Sequence, residues 1–415
     1  MVAGILTRST AARVRVLAGE DREQVRTRTT QANAAAVRST LGSLKGGAQK
    51  AGQLVSTLDS LLPQDTWSQA LTSLQEDAPA VGMAKMSGVL REDLGPDWHS
   101  HFSEFDTDAV AAASLGQVYR AAWADGREVA VKVQYPGVAS GLRADLTALG
   151  WALRAAGWVS PGMAAAPVAA ELRSRIAGEL DYQAEGQSQT AFHEAFDDDD
   201  DVLVPAVVLA TPRVLVSEWV AGEPVATLAD SADDATRSML GARFQRFALS
   251  GPARAGLLHA DPHPGNFRLM ADGRLGVLDF GAVVPMPGGL PESFGHLISA
   301  MRSDDPDVVR DRLERAGLVR PGTDLDTEAL MDFLSPFSDP ARHEVFSFTP
   351  EWLRAQFARD HDPRNPDYAV ALKLTIPPEQ LMTHRVWLGI VGLLCRLRAT
   401  VPVLPELRLW LPGIE

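Results

Sequence analysis

Leu257-Leu258-His259-Ala260-Asp261-Pro262-His263-Pro264-Gly265-Asn266, followed thirteen residues later by Asp279-Phe280-Gly281, is the stretch from which the rest of this 415-residue chain can be read. Pro262, Pro264 and Gly265 forbid a continuing helix between Asp261 and Asn266 and set a stiff loop. Leu275-Gly276-Val277-Leu278 is a short apolar run, predicted to be a buried strand that ends at Asp279. The pattern therefore offers a carboxylate, an amide and a second carboxylate on loops beside a buried strand. Taken alone, the His-x-Asp-x-His portion has other readings. It is also compatible with ordinary loop hydrogen bonding, or with a metal phosphohydrolase built on His259, Asp261 and His263 and indifferent to the loss of Lys132.

An acid, an amide and an acid in this order are what kinase-type phosphoryl transfer requires: Asp261 to position or deprotonate the acceptor, Asn266 and Asp279 to hold Mg²⁺ on the nucleotide phosphates. The N-terminal half supplies matching parts. Val118–Trp123, Asp125-Gly126 and Glu128–Gln134 read as strand, tight turn, strand. In the second strand Val129, Val131 and Val133 face one way, and Ala130, Lys132 and Gln134 the other, which places Lys132 to clamp phosphates and Ala130 under an adenine. The chain has only five lysines (45, 50, 85, 132 and 373), the rest of its 39 basic residues being arginine, so a retained Lys132 points to a task a guanidinium cannot perform. Glu185, on a predicted helix, is the expected partner that orients Lys132. Val216–Gly222 reads as a strand running into a hinge, with backbone groups of Glu218 and Val220 facing the adenine edge. The loop above the phosphates departs from a kinase glycine loop: Ala111-Ala112-Ala113-Ser114-Leu115-Gly116-Gln117-Val118 keeps the last glycine and the valine but has Ala111 and Ala113 where two glycines are usual. Alanine resists positive φ and adds a Cβ, so the nucleotide is expected to be held differently.

These residues together resemble the UbiB/AarF ("ABC-one") family of atypical kinases, over about residues 40–285 and more weakly to about 398. The resemblance rests on Lys50-Ala51-Gly52-Gln53 as K-x-G-Q, the alanine loop at 111–114, Glu179-Leu180-Asp181 as E-x-D, and the His-x-Asp-x-His-Pro-Gly-Asn loop. It implies a kinase-like fold with an N-terminal helical extension over the active site, binding of ATP or ADP with Mg²⁺, and a role in isoprenoid quinone biosynthesis or lipid homeostasis, often as an ATPase. Lys50 and Gln53 stand i, i+3 on one predicted helix face, expected to dock into the cleft with Lys50 meeting the Glu179 and Asp181 carboxylates.

Composition narrows the alternatives. Apolar residues make up 46% and charged residues 22%, enough for a packed core and a hydrated surface. A net charge of −14 argues against nucleic acid as a partner. The single cysteine, Cys395, excludes a disulfide framework or a cysteine zinc site. No lysine follows a glycine, so there is no P-loop, and no G-x-S-x-G elbow occurs. The longest apolar segment, Val386–Cys395 between Arg385 and Arg396, is too short to span a bilayer and reads as a buried helix. The five-aspartate run at 197–201 reads as a solvated loop, with a calcium loop as its other reading. Beyond Thr227 the chain reads as mostly helical, apart from 257–284.

The expected architecture is α+β: a bilobal kinase-like fold with a helical extension over 1–104, a small lobe over 105–220 and a helical large lobe over 221–415. The expected function is Mg²⁺-dependent ATP turnover with Lys132, Glu185, Asp261, Lys50 and Gln53 as its working groups. Ala111–Ser114, Val118, Ala130, Lys132, Glu218 and Val220 are expected to line the nucleotide, and a quinone-like lipid, a membrane surface or proteins of a biosynthetic complex are the further partners. A nucleotide-gated scaffold without phosphoryl transfer is the alternative. The expected location is cytoplasmic, with contact to a membrane periphery.

Overall fold

The computed structural model describes residues 81–113, 115–138, 180–302, 305–320, 322–361, 370, 373–374 and 378–414. Lys50, Gln53, Ser114 and Glu179, and with them the K-x-G-Q helix, lie outside the described residues. Helix α1 (Met83–Leu94) precedes strands β1 (Phe102–Phe105), β2 (Ala111–Ala113), β3 (Gly116–Trp123) and β4 (Glu128–Gln134). Helix α2 (Tyr182–Phe196) leads to β5 (Val202–Leu203), β6 (Val207–Ala210), β7 (Val214–Glu218) and β8 (Gly222–Pro224). Then come α3 (Val225–Ser231), α4 (Asp234–Ala255), β9 (Leu257–His259), β10 (Phe267–Met270), β11 (Leu275–Val277) and β12 (Val283–Pro285). The C-terminal elements are α5 (Glu292–Arg302), α6 (Pro306–Arg315), α7 (Thr327–Ala341), β13 (Val345–Ser347), α8 (Pro350–His361), α9 (Pro378–Leu397), β14 (Thr400–Pro402) and α10 (Leu404–Trp410).

The described residues fall into two compact units, one of those up to Ala184 plus Val208–Ser217, the other of those in Glu185–Val207 and from Glu218 onward. The first is a sheet in the order β1-β3-β4-β7-β6, with β2 paired to β3. Asp125-Gly126 closes the β3–β4 hairpin, and Gly126 adopts φ +91°, which an L side chain rarely tolerates. Val129, Val131 and Val133 are completely buried, as their alternation requires. They meet Met86, Val89 and Leu90, one stripe of α1 at i, i+3, i+4, together with Trp98, Phe102 and Tyr119. Asp93 at the end of α1 accepts hydrogen bonds from Thr211 Oγ1 (2.7 Å) and the Arg213 amide (3.0 Å) and is ion-paired with the Arg213 guanidinium, fixing the helix to the β6–β7 turn. Residues 81–104, expected within a separate extension, thus pack into the sheet's own core, because β1 pairs with β3 and α1 covers the valine face.

The second unit is mainly helical. Its longest element, α4, starts at Asp233, whose side chain accepts from the Thr236 amide (2.7 Å), and stops at Gly256 in the left-handed region, φ +66°. That stop turns the chain directly into β9. Four short strands order as β5-β11-β10-β8, β9 pairs with β12, and β13 pairs with β14 across some fifty residues, a pairing no local pattern announces. Helix α9 carries Val386, Ile390, Val391, Leu393, Leu394 and Cys395 into the core, in line with the apolar segment expected there.

Two members of the aspartate run depart from expectation. Asp199 is ion-paired with Arg254, and Asp201 accepts from Arg246 (2.6 Å) and Arg243 (3.1 Å), all three arginines lying on α4. Asp199 Oδ1 also accepts from the Asp201 and Val202 amides, both at 3.0 Å. Asp199 and Asp201 so engaged anchor the α2–β5 turn and do not form a calcium loop, while Asp197, Asp198 and Asp200 are exposed, as the solvated-loop reading expects.

Candidate active site

In the second unit, α4 delivers β9 and the loop after it. His259 is buried among Phe192, Phe247, Phe267 and Phe280. Its Nε2 lies 2.7 Å from the Asp279 carbonyl, which can only accept, so the proton sits on Nε2. Burial pushes the imidazole below its ordinary range, outweighing the upward pull of the Asp279 carbonyl and of the Asp261 and Asp279 carboxylates. This histidine braces two loops, and what weighs against the phosphohydrolase reading is that no metal-holding group of three or more His, Cys, Asp or Glu forms around it among the described residues.

Further bonds knit the two loops. The Ala260 amide donates to Ala282 O (2.9 Å) and the Leu278 amide to Asn266 O (2.9 Å). The turn Pro264–Asn266 is closed by the Asn266 amide on His263 O (3.0 Å) and the Gly265 amide on His263 Nδ1 (3.1 Å). Asn266 Nδ2 donates to Asp261 Oδ2 at 2.9 Å and to Asp261 O at 3.3 Å. Asp279 Oδ1 accepts from the Gly281 amide at 3.0 Å. Asp261 is exposed, Asn266 and Asp279 half-buried, and Phe280 buried as the plug beneath them.

Because Asp261 engages the Asn266 nitrogen, the oxygen is the atom of that amide with the chemistry to ligate a metal. An amide oxygen and the Asp279 carboxylate are hard oxygen donors of the kind Mg²⁺ prefers, with the balance of its coordination usually coming from water and phosphate. The donor set therefore fits Mg²⁺ held with a nucleotide; among the described residues no group of three or more His, Cys, Asp or Glu could hold a metal by itself. Glu185, on α2, is buried, and its carboxylate lies beside the Asp-Phe-Gly turn: a Cβ added at Gly281 would sit 3.4 Å from Glu185 Oε2 and 3.3 Å from Asp279 Oδ1. Glu218 donates its amide to Ala206 O (3.0 Å). The Val220 side chain is buried against Gly276, where a Cβ would approach its Cγ1 to 2.7 Å.

The first unit carries Lys132, Ala130, Val118 and the alanine stretch. Ala111, Ala112 and Ala113 form β2, in register with Val118, Gln117 and Gly116 of β3. The alanines are thus accommodated as extended strand, where positive φ is not needed. Gly116 is retained for space: a Cβ there would stand 2.1 Å from Val133 O. The Lys132 ammonium lies 5.0 Å from the Tyr182 ring centroid, a cation–π contact at the first residue of α2. Gln134, fully buried, donates from Nε2 to Leu180 O (2.9 Å) and Pro212 O (3.3 Å), and the Tyr182 amide donates to Pro212 O (3.1 Å). Asp181 accepts from the Gln183 and Ala184 amides at 3.0 and 3.2 Å, so this member of the E-x-D pair caps α2. Strand alternation puts Gln134 on the face of Lys132 but does not announce its burial, and a glutamine at the end of a strand and a tyrosine at a helix start carry no pattern until their partners are known.

The profile of the ABC1 atypical kinase-like domain matches residues 73–311. The chain belongs to that family. Among its relatives, atypical kinase coq-8 of Caenorhabditis elegans is 28% identical over 89% of this chain and 50% of its own length. Atypical kinase COQ8B of Rattus norvegicus is 30% identical over 73% of this chain and 57% of its own. The chain spans about half the length of these curated relatives. A solved complex of Rv3197 with erythromycin, from Mycobacterium tuberculosis, matches with a TM-score of 0.74 at 36% identity, over 95% of this chain and 99% of that one. The fold is therefore protein-kinase-like and α+β, as expected from the sequence. Among the described residues no helix is long and apolar enough to cross a membrane.

Proposed function

We propose that this chain binds ATP with Mg²⁺ and turns it over slowly, transferring or hydrolysing the terminal phosphoryl group. The observation that carries the reading is the Asp261–Asn266 hydrogen bond of 2.9 Å on a loop tied through His259 to Asp279. It supports one orientation for each group: Asp261 toward the attacking oxygen as base or positioner, Asn266 Oδ1 and the Asp279 carboxylate toward the metal. Bound there, Mg²⁺ would neutralise charge on the phosphate oxygens. Lys132 holds the phosphates and Glu185 orients that end of the site, Ala130 and Val118 line the nucleotide, and the Glu218 carbonyl with the Val220 amide meets the adenine edge. Lys50 and Gln53 complete the site from the N-terminal segment, whose role is carried over from the family resemblance, as is a role in isoprenoid quinone or lipid metabolism with a lipid, a membrane surface or biosynthetic proteins as partners; the location, read from the sequence itself, is cytoplasmic at a membrane periphery.

A thermal-shift series with ATP, ADP and AMP, each with and without Mg²⁺, tests binding. A rise only with nucleotide and Mg²⁺ together supports the reading; no rise with any nucleotide refutes it. Adding erythromycin to the series asks whether the macrolide of the Rv3197 complex is also a ligand here. Steady-state ATP hydrolysis with and without a quinone-like lipid separates an enzyme from a nucleotide-gated scaffold, which would bind equally and turn over nothing.

A further inference from the structure

Helix α9 lies beyond the residues matched by the family profile, yet it meets the loop that carries Asp261. A Cβ added at Gly389 would lie 2.4 Å from Pro262 Cγ and 3.4 Å from Pro262 Cδ. Carbon atoms in contact stand about 3.5–4.0 Å apart, so the two must separate by roughly 1 Å to admit a methyl group. Neither side yields easily. The proline ring is closed on its own backbone nitrogen, so displacing Cγ displaces the main chain next to Asp261. The helix cannot retreat either: Val386, Ile390, Val391 and Leu394 are buried in the core, and Leu394 packs against Gly241 of α4, where a Cβ would come within 3.3 Å of Leu394 Cδ2. On the same helix Gly392 has nothing within 4 Å of the corresponding position, so the close approach belongs to Gly389 and not to glycine in α9 generally.

We infer that Gly389 is a positioning residue for the reaction: its bare backbone sets the height of Pro262 and thereby of Asp261 and its partner Asn266. This rests on the function proposed for Asp261. A displacement of about 1 Å in a positioned catalytic group can cost about 10²-fold in rate.

Gly389→Ala is expected to lower kcat for Mg²⁺-dependent ATP hydrolysis by at least tenfold while KM for ATP stays within twofold; Gly392→Ala is expected to leave both unchanged. Pro262→Ala removes the ring that the methyl group meets, so in that background Gly389→Ala is expected to cost less than twofold further, even if the single variant folds poorly. Amide hydrogen exchange over residues 260–268, with no nucleotide present, is expected to quicken in Gly389→Ala and not in Gly392→Ala, since the Gly265 and Asn266 amides are held by bonds inside this loop. Unchanged exchange in Gly389→Ala, or a tenfold further loss when Gly389→Ala is added to Pro262→Ala, overturns the inference. Equal turnover in wild type and Asp261→Asn instead overturns the reading of Asp261, and the exchange experiment remains the judge of the contact.

Discussion

Replacing Arg254 by alanine should loosen the hold of α4 on α2. Arg254, at the last turn of α4, donates to the Ala195 carbonyl from Nε (3.1 Å) and Nη2 (2.7 Å), is ion-paired with Asp199, and lies 3.9 Å from the Phe196 ring centroid. The Asp199 side chain is only 3% exposed. Removing one partner of a buried pair costs about 3–5 kcal/mol, because the other charge stays desolvated. Asp199 keeps two amide donors, and Arg246 remains 3.9 Å away, so the lower end applies, about 3 kcal/mol. For a unit of some two hundred residues that corresponds to a fall in melting temperature of roughly 6–12 °C. Scanning calorimetry of wild type, Arg254→Ala and Arg254→Lys measures it; lysine keeps the charge without the fork and should recover less than half. Burial pushes the Asp199 carboxyl up, but the Arg254 hydrogen bond and charge and the Asp201 and Val202 amides bring it below the ordinary carboxylate range. Its contribution is therefore full above the unfolded pKa of about 3.9 and disappears as pH falls through the lower folded value, so the two melting curves should converge toward pH 3. A drop of less than about 2 °C at pH 7, or a gap that persists unchanged at pH 3, would refute the reasoning.

Two further substitutions follow from packing. Gly116→Ala places a methyl group against the Val133 carbonyl and should destabilise the first unit by about 1–3 kcal/mol, whereas Gly88→Ala on α1, with open space around it, should stabilise by about 0.5–1 kcal/mol; urea titration distinguishes them, and equal effects would discredit the packing account. Cys395 is buried and its thiol is pushed up to about 12, so it should resist a thiol reagent at pH 8 in the native protein and react with one equivalent in urea; rapid native labelling would contradict its placement.

What could be read in advance was whatever local pattern encodes. Asp125-Gly126, the alternating valines and the Asp261, Asn266, Asp279 spacing are contained in short windows, and each sits on the predicted element. What could not be read depended on partners distant in the chain. Helix α1 and β1 join the small sheet through Trp98, Phe102 and Trp123, an aromatic cluster with no period of its own. The aspartates at 199 and 201 looked hydrated because their arginines lie some forty to fifty-five residues further on. Gly116 passed for a phosphate-loop glycine, whereas the backbone of β4 is what demands it. Gln134 and Pro262 are ordinary residues in sequence and acquire meaning only from Leu180 and Gly389.

The most direct test of the account is equilibrium binding of ATP to wild type, Asp261→Asn and Asp279→Asn with Mg²⁺ varied, read alongside single-turnover hydrolysis. Asp261→Asn should bind ATP as wild type does yet lose about 10²–10⁴ in rate, while Asp279→Asn should lose the Mg²⁺-dependent part of binding. Undiminished Mg²⁺-dependent binding in Asp279→Asn, together with undiminished turnover in Asp261→Asn, would show that the chemistry lies elsewhere.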